Sequence, residues 1–424
     1  MTHPSVLLFV LWSSVLGSVA VGQDRDERTE EAVRLNKLGI QHLEAGRFRE
    51  AIDAFLEARD KLPDSANIKK NLATAFSHLG VDHLKSGRYA DAARALGQAS
   101  GLDPENSHID YYRGVLAFKR GDYRESIRRL EACLKKKPDN RAAWETLGHG
   151  YYRLDRLKET IAAWEKVLSL EPSGHSALKR YLKRVRAELG FKEITVAGRS
   201  RHFRVKADQS RFGVEAVAGE VLRYLEDGYD KVCADLGFYP AEVVTVVLYT
   251  NEDFQRVTGT HHWVGGTFDG ARIRLKVRDF HAHRDAIRRT LIHELTHMVV
   301  HRLAGGARVP AWINEGFARV EEGVSAKEAD GTLARMGGKQ ALFALEKLEP
   351  PFTRLKSVTD ARRAYAQSCS FAHYLVISHS TRGVGRFIKG LRDSPRGGVS
   401  AAFKKAFGIE LDEAFKRWKA TLPD

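Results

Sequence analysis

Cysteine is scarce in this chain. Three occur among 424 residues, Cys133, Cys233 and Cys369. So sparse and odd a set excludes a disulfide framework, and each falls inside a helical pattern, where cysteine acts as a small buried hydrophobe. Long apolar runs are missing after residue 22, which excludes a bundle of membrane spans. Low-complexity sequence is missing too. With 43% hydrophobic and 29% charged residues, the chain has globular values and not those of a disordered one. Its length calls for two or three domains.

The single apolar run opens the sequence. "VLLFVLWSSVLGSVAVG" has signal-peptide length, and Ala20 and Gly22 put small residues at the minus-three and minus-one positions of a cut before Gln23. Residues 1–22 are therefore read as a signal peptide, and the chain as exported, periplasmic or secreted. A retained anchor is the alternative, but the run is short for a span and is softened by serines and glycines. No cysteine follows the cut, which argues against a lipid anchor.

Acidic residues are the minority, 54 against 69 Lys and Arg, for a net charge of +15. The excess is spread: 32 basic against 26 acidic residues in 23–190, and 37 against 28 in 191–424. A diffuse excess makes a solvated basic surface that favours acidic partners; specific nucleic-acid binding needs a concentrated patch.

Against these absences stands a repeat. Pro104, Pro138 and Pro172 lie 34 residues apart, and Pro63 lies 41 before the first of them. Counting back from each proline finds Gly39, Ala51, Phe55 and Ala58; then Gly80, Ala92, Leu96 and Ala99; then Gly114, Ser126, Leu130 and Cys133; then Trp144, Gly148, Tyr151 and Trp164. Small residues let two helices of a unit approach, large ones fill the gap, and the proline ends the second helix. Residues 31–172 thus resemble the tetratricopeptide (TPR) family. The extra seven residues between the first two units amount to about two helical turns, so a lengthened first helix is expected there. "HSALKRYLKRVRAEL" after Pro172 reads as a polar helix capping the array. The resemblance implies a concave face that takes a peptide or protein partner. The repeat domain is placed at 23–190, four repeats plus the capping helix.

From residue 191 to 424 the pattern changes. "RHFRVKAD" alternates like a strand, 213–236 reads as an amphipathic helix, and "VVTVVLY" as a buried strand. "ARIRLKV" alternates again, with Ile273, Leu275 and Val277 on one face and two arginines and Lys276 on the other. It is expected at a sheet edge, where an extended substrate adds as a further strand and the cations favour acidic segments. A helix over 285–303 carries "HELTH": His293 and His297 are one turn apart and share a face, and Glu294 sits beside the first of them. Two ligands and a general base are the logic of H-E-x-x-H. Glu315 follows in "PAWINEGFA" on a second helix, after a turn at Gly305 and Gly306.

These two motifs resemble the gluzincins, the thermolysin-like branch of the metallopeptidases, and in particular peptidase-MA-like families with P-x-W-x-N-E-G-x-A after the motif helix. The resemblance covers roughly 195–424. It implies an α/β metallopeptidase domain behind a TPR superhelix, Zn2+ on His293, His297 and Glu315, and Glu294 as general base for peptide hydrolysis. It also implies an oxyanion-stabilising tyrosine after the second ligand helix, with Tyr365 the candidate, though a core-facing tyrosine is the alternative. The sequence departs at Arg319, where relatives carry an acidic residue that orients a ligand histidine; Glu322, on the same helical face as Glu315, is the substitute. Leu303 excludes the metzincin pattern, and no M-E-N element supports an aminopeptidase site. His301 reads as a solvated or orienting histidine, and His261 and His262 as loop residues near the cleft. Two alternatives remain open: an inactive secreted TPR scaffold, and a zinc hydrolase of a non-peptide substrate.

Overall fold

The protein is seen in a computed structural model describing residues 7–194, 200–207, 214–259, 265–277, 280, 282–352, 355, 357–393 and 398–422; of 7–25, 214–216, 251 and 393 only the backbone is described. The expected signal segment, 1–22, lies outside the residues with described side chains. Among the described residues no helix is long and apolar enough to cross a membrane.

Two compact units divide between Leu147 and Gly148. The first is built of helix pairs: α1 (Leu7–Glu44) with α2 (Phe48–Lys61), α3 (Ala66–Lys85) with α4 (Tyr89–Leu102), and α5 (Ser107–Lys119) with α6 (Tyr123–Lys136). α7 (Arg141–Arg153) runs through the division. The small-to-large pairing read from the repeats is realised in space. A methyl on Gly39 would fall 2.5 Å from the Phe55 ring, and one on Gly80 or Gly114 would fall 2.7 Å from Leu96 or Leu130. The extra seven residues lengthen a first helix as expected, since α3 has 20 residues and α5 has 13. Side-chain caps start several of these helices: Ser65 accepts from the N–H of Ile68, Asn106 from His108, and Asp122 from Glu125.

The second unit begins with the last repeat. α8 (Leu157–Leu170) and α9 (Ser176–Glu188) lead into β1 (Lys192–Glu193), β2 (Phe203–Ala207), α10 (Val214–Leu236), β3 (Val244–Tyr249), α11 (Asn251–Thr258), β4 (Gly266–Phe268) and β5 (Arg272–Lys276). Then come helices only: α12 (Arg284–Ala304), α13 (Ala311–Glu321), α14 (Ala326–Arg335), α15 (Val358–His379), α16 (Thr381–Asp393), α17 (Gly398–Phe407) and α18 (Leu411–Thr421). The contacts therefore place 148–190 with the C-terminal unit, in contrast to the boundary at 190 expected from the pattern. α9 is more than a polar cap. Leu178, Leu182 and Val185 are buried on it, and its last residue, Glu188, is 1% exposed.

The sheet has the order β1-β2-β3-β5-β4, with β2, β3 and β5 parallel and the two outer strands antiparallel. Every residue of β3 is buried, as befits a central strand covered on both faces. Val244, Val246 and Leu248 join Ile273 and Leu275 in the main core under α10 and α12, while Val247 and Tyr249 pack on the other side with Phe254 and Val257.

One expectation is overturned here. β5, the "RIRLK" strand, is interior and not an edge; among the described residues the outer strands are β1 and, beside β5, the short β4. Arg272 and Arg274 are 1% and 0% exposed, so they offer nothing to an acidic substrate. The alternation does mark a strand, but it cannot tell solvent from a second buried layer lined with carboxylates. Those carboxylates come from distant parts of the chain.

Within the last repeat the helix contact is at its tightest, a methyl on Gly148 falling 2.3 Å from Cδ1 of Trp164. An indole cannot fold aside, so Gly148→Ala is expected to destabilise the protein by about 1–3 kcal/mol in urea unfolding followed by circular dichroism. Gly97→Ala is the control: nothing lies within 4 Å of the added carbon, and relief of helix-interior glycine is expected to stabilise by up to ~1 kcal/mol.

Candidate metal centre and cleft

The cluster rests on α12. Leu291, Leu295, Met298 and Val299 bury this helix in the core, so the face carrying His293, Glu294 and His297 is held against rotation. Gly305, with φ +57°, ends it in the left-handed conformation, and the chain turns back to start α13 at Pro310. Trp312, Ile313 and Phe317 anchor α13 in the core, with the Trp312 ring stacked 5.9 Å from Phe387. α13 also lies hard against α15, for a methyl on Gly316 would fall 2.2 Å from the Ser368 carbonyl oxygen. Glu315 is thereby pointed back at α12.

The three donors meet. His293 Nε2 and His297 Nε2 are 3.1 Å apart, and Glu315 Oε2 is 3.4 Å from each. A tetrahedral ion with bonds of about 2.0–2.2 Å has donor–donor edges of roughly 3.3–3.6 Å. The three atoms therefore nearly form one face of such a tetrahedron, and among the described residues they are the one group of this kind. His301, one turn further along α12, is outside it, with its ring edge-on to Phe268 at 5.7 Å.

Each ligand histidine is oriented from α13. His297 Nδ1 lies 3.1 Å from Asn314 Oδ1, an acceptor that keeps the proton on Nδ1 and leaves Nε2 free to ligate. His293 Nδ1 lies 3.1 Å from Glu322 Oε2, and Arg319 donates to the other oxygen of Glu322 at 2.5 Å. The departure at position 319 is explained: the orienting carboxylate comes from Glu322, and Arg319 holds that carboxylate in place. Sequence reasoning misses Asn314, although it stands within the quoted motif immediately before Glu315. Glu321, on the far side of α13, pairs with Lys231 of α10.

Electrostatics favour a cation at the centre. Burial alone pushes the imidazoles toward neutrality, yet Glu315 and Glu322 outweigh it and raise His293 to about 10. His297 is raised too, by Glu315 against its burial. Burial likewise lifts Glu315, but the two imidazoles hold it far below the usual carboxylate range. Positive charge, as two protons or as a divalent ion, is what this donor set gathers.

Glu294 is 7% exposed and, unlike Glu315, is raised: burial outweighs the pull of the two neighbouring imidazoles, and the Glu315 carboxylate adds to it. The edge strand passes directly over it, so that a methyl on Gly266 would fall 2.9 Å from Glu294 Cγ. A cavity of 640 Å³ opens between Gly265–Phe268 of β4 and α15, lined by all four predicted groups of the motif and by Tyr365. Tyr365 packs edge-on against Phe352 at 5.2 Å, and burial, reinforced by Glu315 and Glu294, raises its hydroxyl well above the usual phenol range. His261 and His262 lie outside the described residues.

With this geometry in place, comparison with known proteins is informative. Residues 225–424 match the model of the Peptidase MA superfamily, and residues 36–80 and 83–149 match tetratricopeptide repeat models. The chain carries a Peptidase MA superfamily domain preceded by TPR repeats. A comparison with curated proteins finds no match. Among solved structures it is similar to the first TPR of Spaghetti (RPAP3), bound there to the HSP90 peptide SRMEEVD, at 20% identity over 28% of this chain and 94% of that one, TM-score 0.27. It is similar to the Arabidopsis OM64 TPR domain at 19% identity over 28% and 98% of the two chains, TM-score 0.27. YrrB, described as a TPR protein with an unusual peptide-binding site, shares 15% identity over 38% and 79%, TM-score 0.31.

Three substitutions rank the site. Glu315→Ala removes the anionic ligand and is expected to weaken binding of a divalent ion, titrated as zinc against a chelator, by more than 100-fold. Glu322→Ala, which frees the His293 ring, should cost about 10–100-fold. Glu321→Ala should bind as the parent does; equal binding by all three variants would show that the donors lie elsewhere.

Proposed function

We propose that the C-terminal domain is a zinc-dependent peptidase and that the repeats select a peptide or protein partner for it. The observation that carries this reading is the triangle of His293, His297 and Glu315 donor atoms with Glu294 beside it, at the wall of a cavity roofed by an edge strand. Zinc held on those three side chains supplies a charge that acidifies water and polarises a carbonyl group.

The chain's own residues do the rest. Glu294 is poised as base: its carboxyl is buried and raised, and its side chain lies against Gly266 of β4. Its carboxylate takes the proton of the attacking water and passes it to the departing amide nitrogen. The Tyr365 hydroxyl keeps its proton, because burial and the nearby carboxylates oppose ionisation, and so it is the donor offered to the developing oxyanion. Among the described residues β4 pairs with β5 along one side only, and its other side presents backbone groups to an extended substrate, which adds as one more strand. This takes over the role that the sequence pattern gives to "ARIRLKV". Export follows in this reading from the apolar segment at 1–22.

Glu294→Gln is the decisive variant. The amide nearly preserves shape but cannot accept the proton, so peptide cleavage should fall by roughly 10²–10⁴-fold with zinc content unchanged. Loss of zinc along with activity, or full activity, would remove Glu294 from the role of base.

A further inference from the structure

Behind the sheet, on the face away from α12, lies a network of six charges, with Glu188, Arg272 and Arg274 buried and Asp155, Lys206 and Asp269 half-buried around them. Glu188 at the end of α9 accepts from Arg272 Nη1 at 2.9 Å and Arg274 Nε at 2.6 Å, and also from the Tyr249 hydroxyl. Asp155, in the turn between α7 and α8, accepts from Arg272 Nη2 at 2.5 Å and pairs with Lys206 of β2. Asp269, in the turn joining β4 to β5, accepts from Arg274 Nη1 at 2.6 Å and from the Tyr152 hydroxyl at 2.7 Å. That same hydroxyl accepts from Arg274 Nη2 at 2.6 Å, and the Tyr152 ring lies 4.5 Å from the Arg272 guanidinium carbon. Three cations face three carboxylates. Four members of the network, Tyr152, Asp155, Glu188 and the turn residue Asp269, are not on the central strands, and three of them come from the last repeat and its following helix.

The network reaches the site by a short path. Asp269 also accepts the backbone N–H groups of Ala271 and Arg272 through Oδ1, at 3.0 Å each, which locks the β4–β5 turn. Gly266, three residues before Asp269, lies against the Glu294 side chain, for a methyl there would fall 2.9 Å from Glu294 Cγ. β4 has three residues and, among the described residues, one paired side. Its place is therefore set largely at its turn.

We propose that Tyr152 and Asp269 are positioning residues for the catalytic edge: the last repeat, through Tyr152, clamps the Asp269 turn and so holds β4 over Glu294. The repeat array is then no detachable selector, since its final hairpin is part of the machinery that presents both substrate strand and general base. The catalytic consequence rests on the peptidase reading; the clamping itself does not.

The test uses the full chain loaded with zinc. Tyr152→Phe keeps the ring against Arg272 and deletes one oxygen, and Asp269→Asn keeps the shape of the turn. Hydrogen–deuterium exchange should rise on the order of tenfold or more in 265–277, with α12 and α15 at parent levels and zinc content unchanged. Against a peptide that the parent cleaves, kcat should fall about tenfold. Parent-like exchange at 265–277 in both variants, or loosening spread evenly over the unit, overturns the clamp. Should the parent cleave no peptide, the peptidase reading falls, while the exchange result still decides the clamp. If Tyr152→Phe does not fold, exchange in Asp269→Asn alone decides between the same two outcomes.

Discussion

Charge brought into a dry interior must be answered at once by opposite charge, and much of the C-terminal unit follows from that constraint. On one face of the sheet two imidazoles and a carboxylate converge within hydrogen-bonding distance. On the other, three cations and three carboxylates interlock. Neither group could stand alone: a buried ion without its partner costs several kcal/mol. Each therefore dictates where helices and turns must lie, and the short β4 strand is caught between them.

The candidate metal centre depends on rigidity as well as on its donors. A helix buried along most of its length, a left-handed glycine turn and a second helix pinned by Trp312 bring Glu315 back to the two histidines. Asn314 and Glu322 then fix the imidazole rings from the same helix that supplies the third donor. α13 and its C-cap residue Glu322 thus contribute the third donor and both groups that face the imidazoles. That economy explains why Arg319 is tolerated: it braces Glu322 instead of replacing it.

The repeats show the same logic in apolar form. Glycine against phenylalanine, leucine or tryptophan, sixteen residues apart in each unit, lets helices pack closer than a methyl allows. The last such pair, Gly148 and Trp164, belongs to the C-terminal unit. The division thus falls inside α7, and the last hairpin of the repeats is counted with the C-terminal unit.

Much of this is legible in the sequence, because local spacing carries it. The 34-residue period, the lengthened α3, the one-turn separation of His293 and His297, the return of Glu315 and the face shared by Glu322 all follow from helical geometry and need no long-range information. Three of the five strands are legible as well, β2 and β5 from their alternation and β3 from its apolar run, whereas the short β1 and β4 are not. What the sequence cannot decide is what covers them. Arg272 and Arg274 look like solvent-facing residues of an edge strand, since nothing near them in sequence announces Glu188 and Asp155, 84 and 117 residues earlier. Strand order, which strands lie outermost, and the grouping of the last repeat with the C-terminal unit are decided only by tertiary packing. The physical reason is that pairing a buried charge is a contact between distant segments, and periodicity reports only on neighbours.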